Sequence, residues 1–385
     1  MLGRMIRAAA LSLLPLLAAA LPAQKTLAEL QQRFVKESQA LDAAADQRQR
    51  DGGDGSSARD QRDALLARHT EELRAFVTSV AAGDDRWNGR LMLADLLLAR
   101  RDREAATAAL RGIDSKEAPA LLLATAATMA QHLGLKPLRD EWVAAARGKD
   151  APLADRLAMA RLLMTVLREI PAGDEVFAKA LAAAGDDEQR ALVRWHKADA
   201  LRDREDLPEN AGFEELDKLA RDLPKTYWGG VAKDRLRATQ LVRGDAAIDF
   251  RAPTLGGGEF ALADCRGKVV VVAFLSVGDR DLPPLLALLR ELRARHGDRL
   301  AVCGISLDRD AATVAAARQP LGLDLPLVCD GKGTQTDAAL RWFAEGPAVH
   351  VIDRDGKVAA LGLHAGTEDA RAELAAAVDA AVKAP

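Results

Sequence analysis

The stretch from Gly267 to Leu285, GKVVVVAFLSVGDRDLPPL, decides the fold of the second half of this chain. Its first part, Val269 to Leu275, is an unbroken apolar run rich in valine, which predicts a parallel strand covered on both faces. A glycine and three charged residues follow, and from Leu282 onward leucines recur at helical spacing. A strand that ends in a tight turn at a helix N-terminus can stabilise an anion or a reactive thiolate. This turn contains no cysteine.

The flanking sequence predicts strands and helices in alternation, which indicates an α/β domain with a mostly parallel sheet. The predicted elements are a hairpin (Phe250 to Leu262), strands (Lys268 to Leu275, Leu300 to Leu307, Leu325 to Cys329, Val349 to Asp353, Val358 to Leu363) and helices (Leu282 to His296, Ala311 to Arg318, Ala338 to Phe343, residues 368 to 382).

Four segments of this region carry a resemblance to a known family. They are Gly244 to Phe250 (GDAAIDF), Leu262 to Lys268 (LADCRGK), Leu300 to Asp308 (LAVCGISLD) and Gly346 to Val358 (GPAVHVIDRDGKV). In this order they resemble the redoxin branch of the thioredoxin superfamily, which comprises the TlpA-like exported thiol–disulfide oxidoreductases and the peroxiredoxins of the AhpC/TSA type. The resemblance covers residues 244 to 382 and implies a thioredoxin-like domain in residues 244–385.

The resemblance implies a reactive cysteine that this chain lacks. In the oxidoreductases the first core strand ends in a Trp-Cys-x-x-Cys turn, in which one thiolate attacks the substrate disulfide and the other resolves the intermediate. Asp279 and Leu282 occupy those two positions here. The peroxidatic cysteine of the peroxiredoxins would fall near Pro283.

The turn has two interpretations. In the structural one, Asp281 is the N-cap of the following helix and its carboxylate accepts N–H bonds of the first turn, while Pro283 and Pro284 occupy that turn at little cost. In the functional one, Asp279 and Asp281 act as acid–base or metal-binding carboxylates. We favour the structural interpretation.

Three cysteines lie elsewhere in the domain: Cys265, Cys303 and Cys329. None has a CxxC partner, and a buried free cysteine behaves as a small hydrophobic residue. Cys265 is the only one we retain as a weak candidate for a redox thiol. A disulfide between Cys303 and Cys329 is conceivable between neighbouring strands, although their register looks offset by several residues.

Gly346 and Pro347 lie where the family carries its cis-proline loop, which packs beside the active turn and lines the substrate groove. We therefore expect these two residues to contribute to a binding groove. His350 and His364 are isolated from acidic or cysteine partners at ligand spacing, so both are interpreted as structural. We expect no metal site and no cofactor.

Residues 24–243 indicate an all-helical domain of short hairpins. Gly-Asp turns are predicted at Gly83, Gly173 and Gly185, and the first and last are separated by a multiple of the tetratricopeptide period. A tetratricopeptide-like array and an irregular helical array are both compatible with this pattern. Tryptophans spread through the domain are expected to fill its core.

The N-terminus indicates export. Arg4 and Arg7 precede a moderately long apolar segment that ends in small residues, so residues 1–23 are predicted to be a signal peptide. An uncleaved anchor is the alternative. The net charge of −3, without long runs of one sign, does not favour nucleic acid as a partner. We expect a periplasmic or secreted protein with no stable membrane span after cleavage.

The sequence as a whole predicts an α+β multidomain protein, a helical-hairpin array followed by a thioredoxin-like α/β domain. Because the redox motif is missing, the leading hypothesis is a non-catalytic binding or scaffold module with a protein partner on the helical array. The alternative is a divergent thiol–disulfide oxidoreductase or peroxiredoxin-like antioxidant protein.

Overall fold

The computed structural model describes residues 26–50, 56–204, 206–208 and 210–384, so the predicted signal peptide lies outside the described residues. The chain divides into two compact units, Met1–Ala180 and Leu181–Pro385. Within the described ranges, no helix combines the length and the apolar character that a membrane crossing requires.

The first unit is built from helices. They are α1 (Leu27–Arg50), α2 (Ser56–Ser79), α3 (Asp84–Ala99), α4 (Arg103–Arg111), α5 (Ala120–His132), α6 (Lys136–Gly148), α7 (Leu153–Thr165) and α8 (Ile170–Ala182). Consecutive helices pack on each other, α3 on α4 and α5 on α6, and Trp87 and Trp142 are buried in the core. The all-helical prediction is confirmed, whereas the tetratricopeptide assignment stays a prediction.

The predicted turn at Gly173 is wrong, because this residue lies inside α8. The glycine serves close helix packing instead. A β-carbon at this position would lie 2.2 Å from Met164 Cγ and 3.0 Å from the Ala160 carbonyl oxygen, both on α7. The predicted turns at Gly83 and Gly185 each lie just before a helix, as expected.

The second unit contains three further helices and then the sheet domain. The helices before the sheet are α9 (Asp187–Arg202), α10 (Ala211–Asp222) and α11 (Tyr227–Ala238). The sheet domain consists of β1 (Arg251–Pro253), β2 (Glu259–Ala261), β3 (Val269–Leu275), α12 (Leu282–His296), β4 (Leu300–Ser306), α13 (Ala311–Leu321), β5 (Leu327–Val328), α14 (Asp337–Trp342), β6 (Ala348–Ile352), β7 (Val358–Leu363) and α15 (Glu368–Lys383). Every predicted element after residue 250 is present within a few residues of its predicted bounds.

The five-stranded sheet has the order β5-β4-β3-β6-β7, with β3 at its centre. Strands β3, β4 and β5 run parallel, whereas β6 and β7 pair antiparallel. The prediction of a mostly parallel sheet is confirmed for strand direction, because four of the five strands run the same way and only β6 runs against them. The reason for this exception is local: the turn around Gly356 joins β6 directly to β7, and a parallel pair would need a crossover connection.

Both faces of β3 are buried, as its valine-rich sequence predicts. Alternate residues point to opposite faces, so Val271 and Leu275 pack with α12 and α15, while Val272 and Phe274 pack with α14 and the β1–β2 hairpin. The sheet is thus a fixed platform from which the turn after Leu275 projects.

The helices α9 to α11 share a core with the sheet domain. Trp195, Leu219 and Val231 pack together with Leu340 of α14, and all four are buried. The change from helices to strands follows Ala238, near the predicted domain boundary at residue 243, whereas the compact unit already begins at Leu181. That boundary, as a limit of independent folding, stays a prediction.

Candidate functional site

A small groove lies where β3 ends and the chain turns into α12. The loop before β6 reaches the same place, because Ala348 is the register partner of Phe274 and Pro347 precedes it. The cavity has a volume of about 40 Å³. Its lining is mostly apolar with two carboxylates: Phe274, Leu275, Asp279, Asp281, Leu282, Leu285, Pro347, Ala348, Val349, Leu363, His364 and Ala365.

The groove brings together most of the positions singled out in the sequence. Asp279, Leu282 and Pro347 all line it, while Gly346 stands next to it in the chain. Leu282 is 2% exposed and belongs to the core beneath α12, so it is a packing residue rather than an available reactive position. Cys265 does not line the groove.

The turn that precedes α12 is closed by its own hydrogen bonds. The Asp279 amide donates to the Ser276 carbonyl at 3.0 Å, and the Leu282 amide donates to the Asp279 carbonyl at 3.2 Å. The Asp279 carboxylate accepts from the Asp281 amide at 3.0 Å. Asp279 therefore stabilises the turn through its backbone and its side chain.

Asp281 is the N-cap residue of α12, as predicted, but its carboxylate makes no capping hydrogen bond. A capping side chain accepts from the second or third N–H of the helix, and here these positions are Pro283 and Pro284, which have none. Asp281 also has helical backbone angles (φ −88°, ψ −4°) instead of the extended ones usual at an N-cap. The predicted capping bond is wrong for these two reasons.

The four N–H positions at the start of a helix are the groups that would stabilise an anion. In α12 the Asp281 amide donates to the Asp279 carboxylate at 3.0 Å, the Leu282 amide is used by the turn, and the two prolines carry no N–H. None of the four positions offers a free donor to the groove.

A partly buried hydrogen-bond network that the sequence analysis missed anchors this turn. The Asp308 carboxylate accepts from the Ser276 hydroxyl at 2.6 Å, from the Val277 amide at 3.1 Å and from the Ser306 hydroxyl at 2.8 Å. It thus ties the end of β3 to the end of β4. The available signal was a serine at or just after the end of each of two adjacent strands, with an aspartate two residues after the second.

The wall formed by the Pro347 loop departs from the family pattern. Every peptide bond of the described residues is trans, so the cis bond implied at Pro347 is absent. Opposite the loop, a β-carbon on Gly366 would lie 2.5 Å from Asp281 Oδ2. The Asp281 carboxylate therefore packs closely against the backbone that follows β7.

The segment before Pro347 is held by α9 and α11. Phe343 has a positive φ of 53°, which is strained for a bulky residue, and the Arg235 guanidinium lies 4.5 Å from its ring centroid. Arg235 is 4% exposed, and burial lowers its pKa to about 10. Arg202 forms an ion pair with Glu345. The helices before the sheet domain thus fix the backbone that leads into the groove.

The three cysteines are free, and none lines the groove. Cys303 is fully buried in β4, and Cys265 packs against the same core, on the sheet face away from α12. Burial raises the pKa of both thiols. Gly304 and Ile305 are the partners of Leu327 and Val328, so Cys303 and Cys329 do not face each other across the strands.

The two histidines have different surroundings. His350 stacks on Trp342 with ring centroids 5.1 Å apart, and its Nδ1 accepts from the Gly362 amide at 3.1 Å. Burial, with a smaller effect of His364, lowers the pKa of His350 to about 4, so the ring is neutral near pH 7. His364 lines the groove. The described part of the chain holds no cluster of three or more metal-ligating side chains.

A central strand that runs into a helix, a mixed sheet with helices on both faces and a proline loop beside the helix start define a thioredoxin fold. The C-terminal domain has a thioredoxin-like fold.

Comparison with known proteins gives the same assignment. Residues 243–361 match the AhpC/TSA family. The chain is 26% identical over 130 residues to the thioredoxin-like protein YneN of Bacillus subtilis, a match that covers 33% of this chain and 74% of YneN.

Solved structures with a similar fold come from several bacteria. The thioredoxin domain of a thiol-disulfide oxidoreductase from Bacteroides vulgatus is 24% identical, and the match covers 36% of this chain and 99% of that one with a TM-score of 0.32. A thiol:disulfide interchange protein of the thioredoxin family from Chlorobium tepidum is 20% identical, and the match covers 37% and 98% of the two chains with a TM-score of 0.32.

Proposed function

We propose that this chain is an exported, thioredoxin-like redoxin protein that acts as a non-catalytic binding or scaffold module. The missing N–H donors at the start of α12 are the observation that carries this proposal. A redox thiolate at this position of the fold depends on such donors for its low pKa. The chain has lost both the thiols and the groups that would activate them.

The remaining thiols do not offer a substitute. Attack on a disulfide needs a thiolate that is accessible and has a partner to resolve the intermediate. Cys303 is buried, Cys265 is half-buried with a raised pKa, and the Cys265 Sγ lies 3.7 Å from the Ala261 carbonyl oxygen. These features favour a packing role for both residues.

The helical hairpins of the first unit are the proposed surface for a protein partner. Arrays of paired helices present long exposed faces, and many proteins use such faces for binding. We also propose a periplasmic or extracellular location, on the basis of the arginine-flanked apolar segment at the N-terminus. N-terminal sequencing of mature protein tests this: a chain that begins near residues 21–25 supports export, and one that retains Met1 contradicts it.

The catalytic question is tested with the purified protein and a variant in which Cys265, Cys303 and Cys329 are all replaced by alanine. We expect both proteins to reduce insulin disulfides and to consume hydroperoxide at background rates. The variant is checked by circular dichroism, and a working thioredoxin serves as the positive control. Thiol-dependent turnover that Cys265→Ala alone removes would establish the divergent oxidoreductase instead.

The binding role is tested by capture of partners from an envelope fraction of the source cells. We expect a reproducible partner that wild type and the cysteine-free variant retain equally, because recognition does not involve a thiol. A partner held only through a mixed disulfide, and lost in the cysteine-free variant, would contradict the non-catalytic role.

A further inference from the structure

A second cavity lies entirely within the first unit, between the end of α6 and the helices α7 and α8. Its volume is about 320 Å³, at the lower end of the range for small-molecule sites. The buried side chains of Met159 and Val176 form an apolar wall of this cavity. The other lining residues are Arg147, Gly148, Lys149, Asp150, Arg156 and Lys179.

Cations outnumber the carboxylates that pair with them here. Arg147 and Lys179 share Glu175, the latter with its Nζ 2.8 Å from Oε1, and Arg156 pairs with Asp150. Lys149 donates to a backbone carbonyl, that of Lys116, at 2.5 Å. Four cations therefore meet two carboxylates.

The existing ion pairs are weak competitors for a bound anion. The Asp150 side chain is 93% exposed, and exposed pairs contribute little to stability. The Arg147 and Glu175 side chains are 39% and 37% exposed, so this ion pair is also open to solvent.

We propose that this cavity binds a small organic anion with two negative charges, either a phosphate monoester or a dicarboxylate. The two arginines offer the forked donors that match phosphate and carboxylate groups, and Lys149 and Lys179 add point charges. Met159 and Val176 would contact the carbon skeleton of the ligand. The volume fits a compact metabolite and excludes a folded partner.

The test is isothermal titration calorimetry on the purified protein with phenyl phosphate and with succinate, and with benzyl alcohol as the neutral probe. We expect saturable binding of at least one anion and none of the alcohol. If only one of the two anions binds, that result shows whether the cavity recognises a phosphate or a carboxylate group. Arg156→Gln and Lys179→Gln should each weaken that binding about tenfold, the usual effect of losing a charge-assisted hydrogen bond.

Two further variants make the result specific. Asp150→Asn should tighten binding, because it removes the carboxylate that competes for Arg156. Arg100→Gln removes an exposed arginine of the same unit outside the cavity and should leave binding unchanged. The proposal is overturned if neither anion binds saturably, or if Arg100→Gln weakens binding as much as Arg156→Gln does.

Discussion

The starts of α12 and α13 form a natural comparison, because each helix follows one of two adjacent parallel strands and each has aspartate at its N-cap. At α13, Asp310 has extended backbone angles and its carboxylate accepts from the Ala312 amide at 3.0 Å and from the Thr313 hydroxyl. At α12, Asp281 makes no capping bond, since two prolines follow.

The difference teaches that an anion site at a helix start depends on donors, not on the helix dipole alone. Both helices are long enough for a dipole, and both turns lie at the same edge of the sheet. Only α13 has an N–H group in the second position, and this group donates to the Asp310 carboxylate. The start of α12 corresponds to the position at which redoxin proteins carry their thiolate. In this chain it is the helix start that lacks such N–H donors.

The largest effect is expected at Asp308, the carboxylate that ties the α12 turn to the strand before α13. Asp308→Ala leaves the Val277 amide and the buried Ser306 hydroxyl without this acceptor. We expect a loss on the order of 2 kcal/mol in the free energy of unfolding, measured by urea denaturation.

Two variants calibrate this result. Ser276→Ala removes one of the three bonds and should cost about 1 kcal/mol. Asp298→Ala, at an exposed position in the same domain, should change stability by less than about 0.5 kcal/mol. Equal effects of Asp308→Ala and Asp298→Ala would show that the network does not anchor the turn.

The second prediction places a thiol at each N-cap. In Asp310→Cys the new thiol can accept from the Ala312 amide, and in Asp281→Cys it has no such donor. We expect the thiol pKa in Asp310→Cys to lie at least about one unit below that in Asp281→Cys. Alkylation rate against pH, resolved by peptide mass spectrometry, measures both values in the presence of the native cysteines.

Restoring N–H donors at the start of α12 should reduce the difference between these two thiol pKa values. The triple variant Asp281→Cys, Pro283→Ala, Pro284→Ala regains two N–H groups, and its thiol pKa should fall toward that of Asp310→Cys. If Asp281→Cys is already as acidic as Asp310→Cys, backbone donors are not what distinguishes the two sites and the main support for the non-catalytic proposal is lost.

The sequence predicted the fold of this region well, because each element has a clear period. The valine run of β3 and the leucines of α12 are strong signals, and the absence of cysteine from the turn between them is visible directly. The capping bond at Asp281 was predicted wrongly, although Pro283 and Pro284 already determine which N–H groups are missing. The direction of β6 was not predicted, because it depends on the short turn that joins this strand directly to β7.

Other features could not be derived from local sequence. The Asp308 network joins residues from two strands, and its geometry depends on their parallel register. The contact of Arg235 with Phe343 joins residues more than a hundred positions apart. Both contacts follow from tertiary packing. The serines and the aspartate at the strand ends are a signal for the first, whereas neither residue type nor spacing indicates the second.

The third prediction compares the two aspartates by truncation. Asp310→Ala removes a capping carboxylate and should lower the thermal midpoint by a few degrees, whereas Asp281→Ala removes no capping bond and should lower it less. Differential scanning calorimetry of both variants and wild type measures the effect. A larger loss for Asp281→Ala would reverse the comparison.

The smallest effect is a pH dependence that belongs to α13. Hydrogen bonds from the Thr313 hydroxyl and the Ala312 amide hold the pKa of Asp310 below its usual range. Because the folded pKa is then lower than the unfolded one, this stabilisation is fully present above the unfolded value, about 4, and is lost as the pH falls through the folded value.

The difference in thermal midpoint between wild type and Asp310→Asn should therefore be constant from pH 7 to about pH 5 and shrink below about pH 4. Thr313→Val removes the main donor to this carboxylate and leaves only the Ala312 amide. In the Thr313→Val background, the difference in thermal midpoint that Asp310→Asn causes should therefore shrink less over the same pH range. A difference that grows on acidification would mean that Asp310 is stabilised in its protonated form, and the contrast between the two helix starts would then not rest on a bound carboxylate.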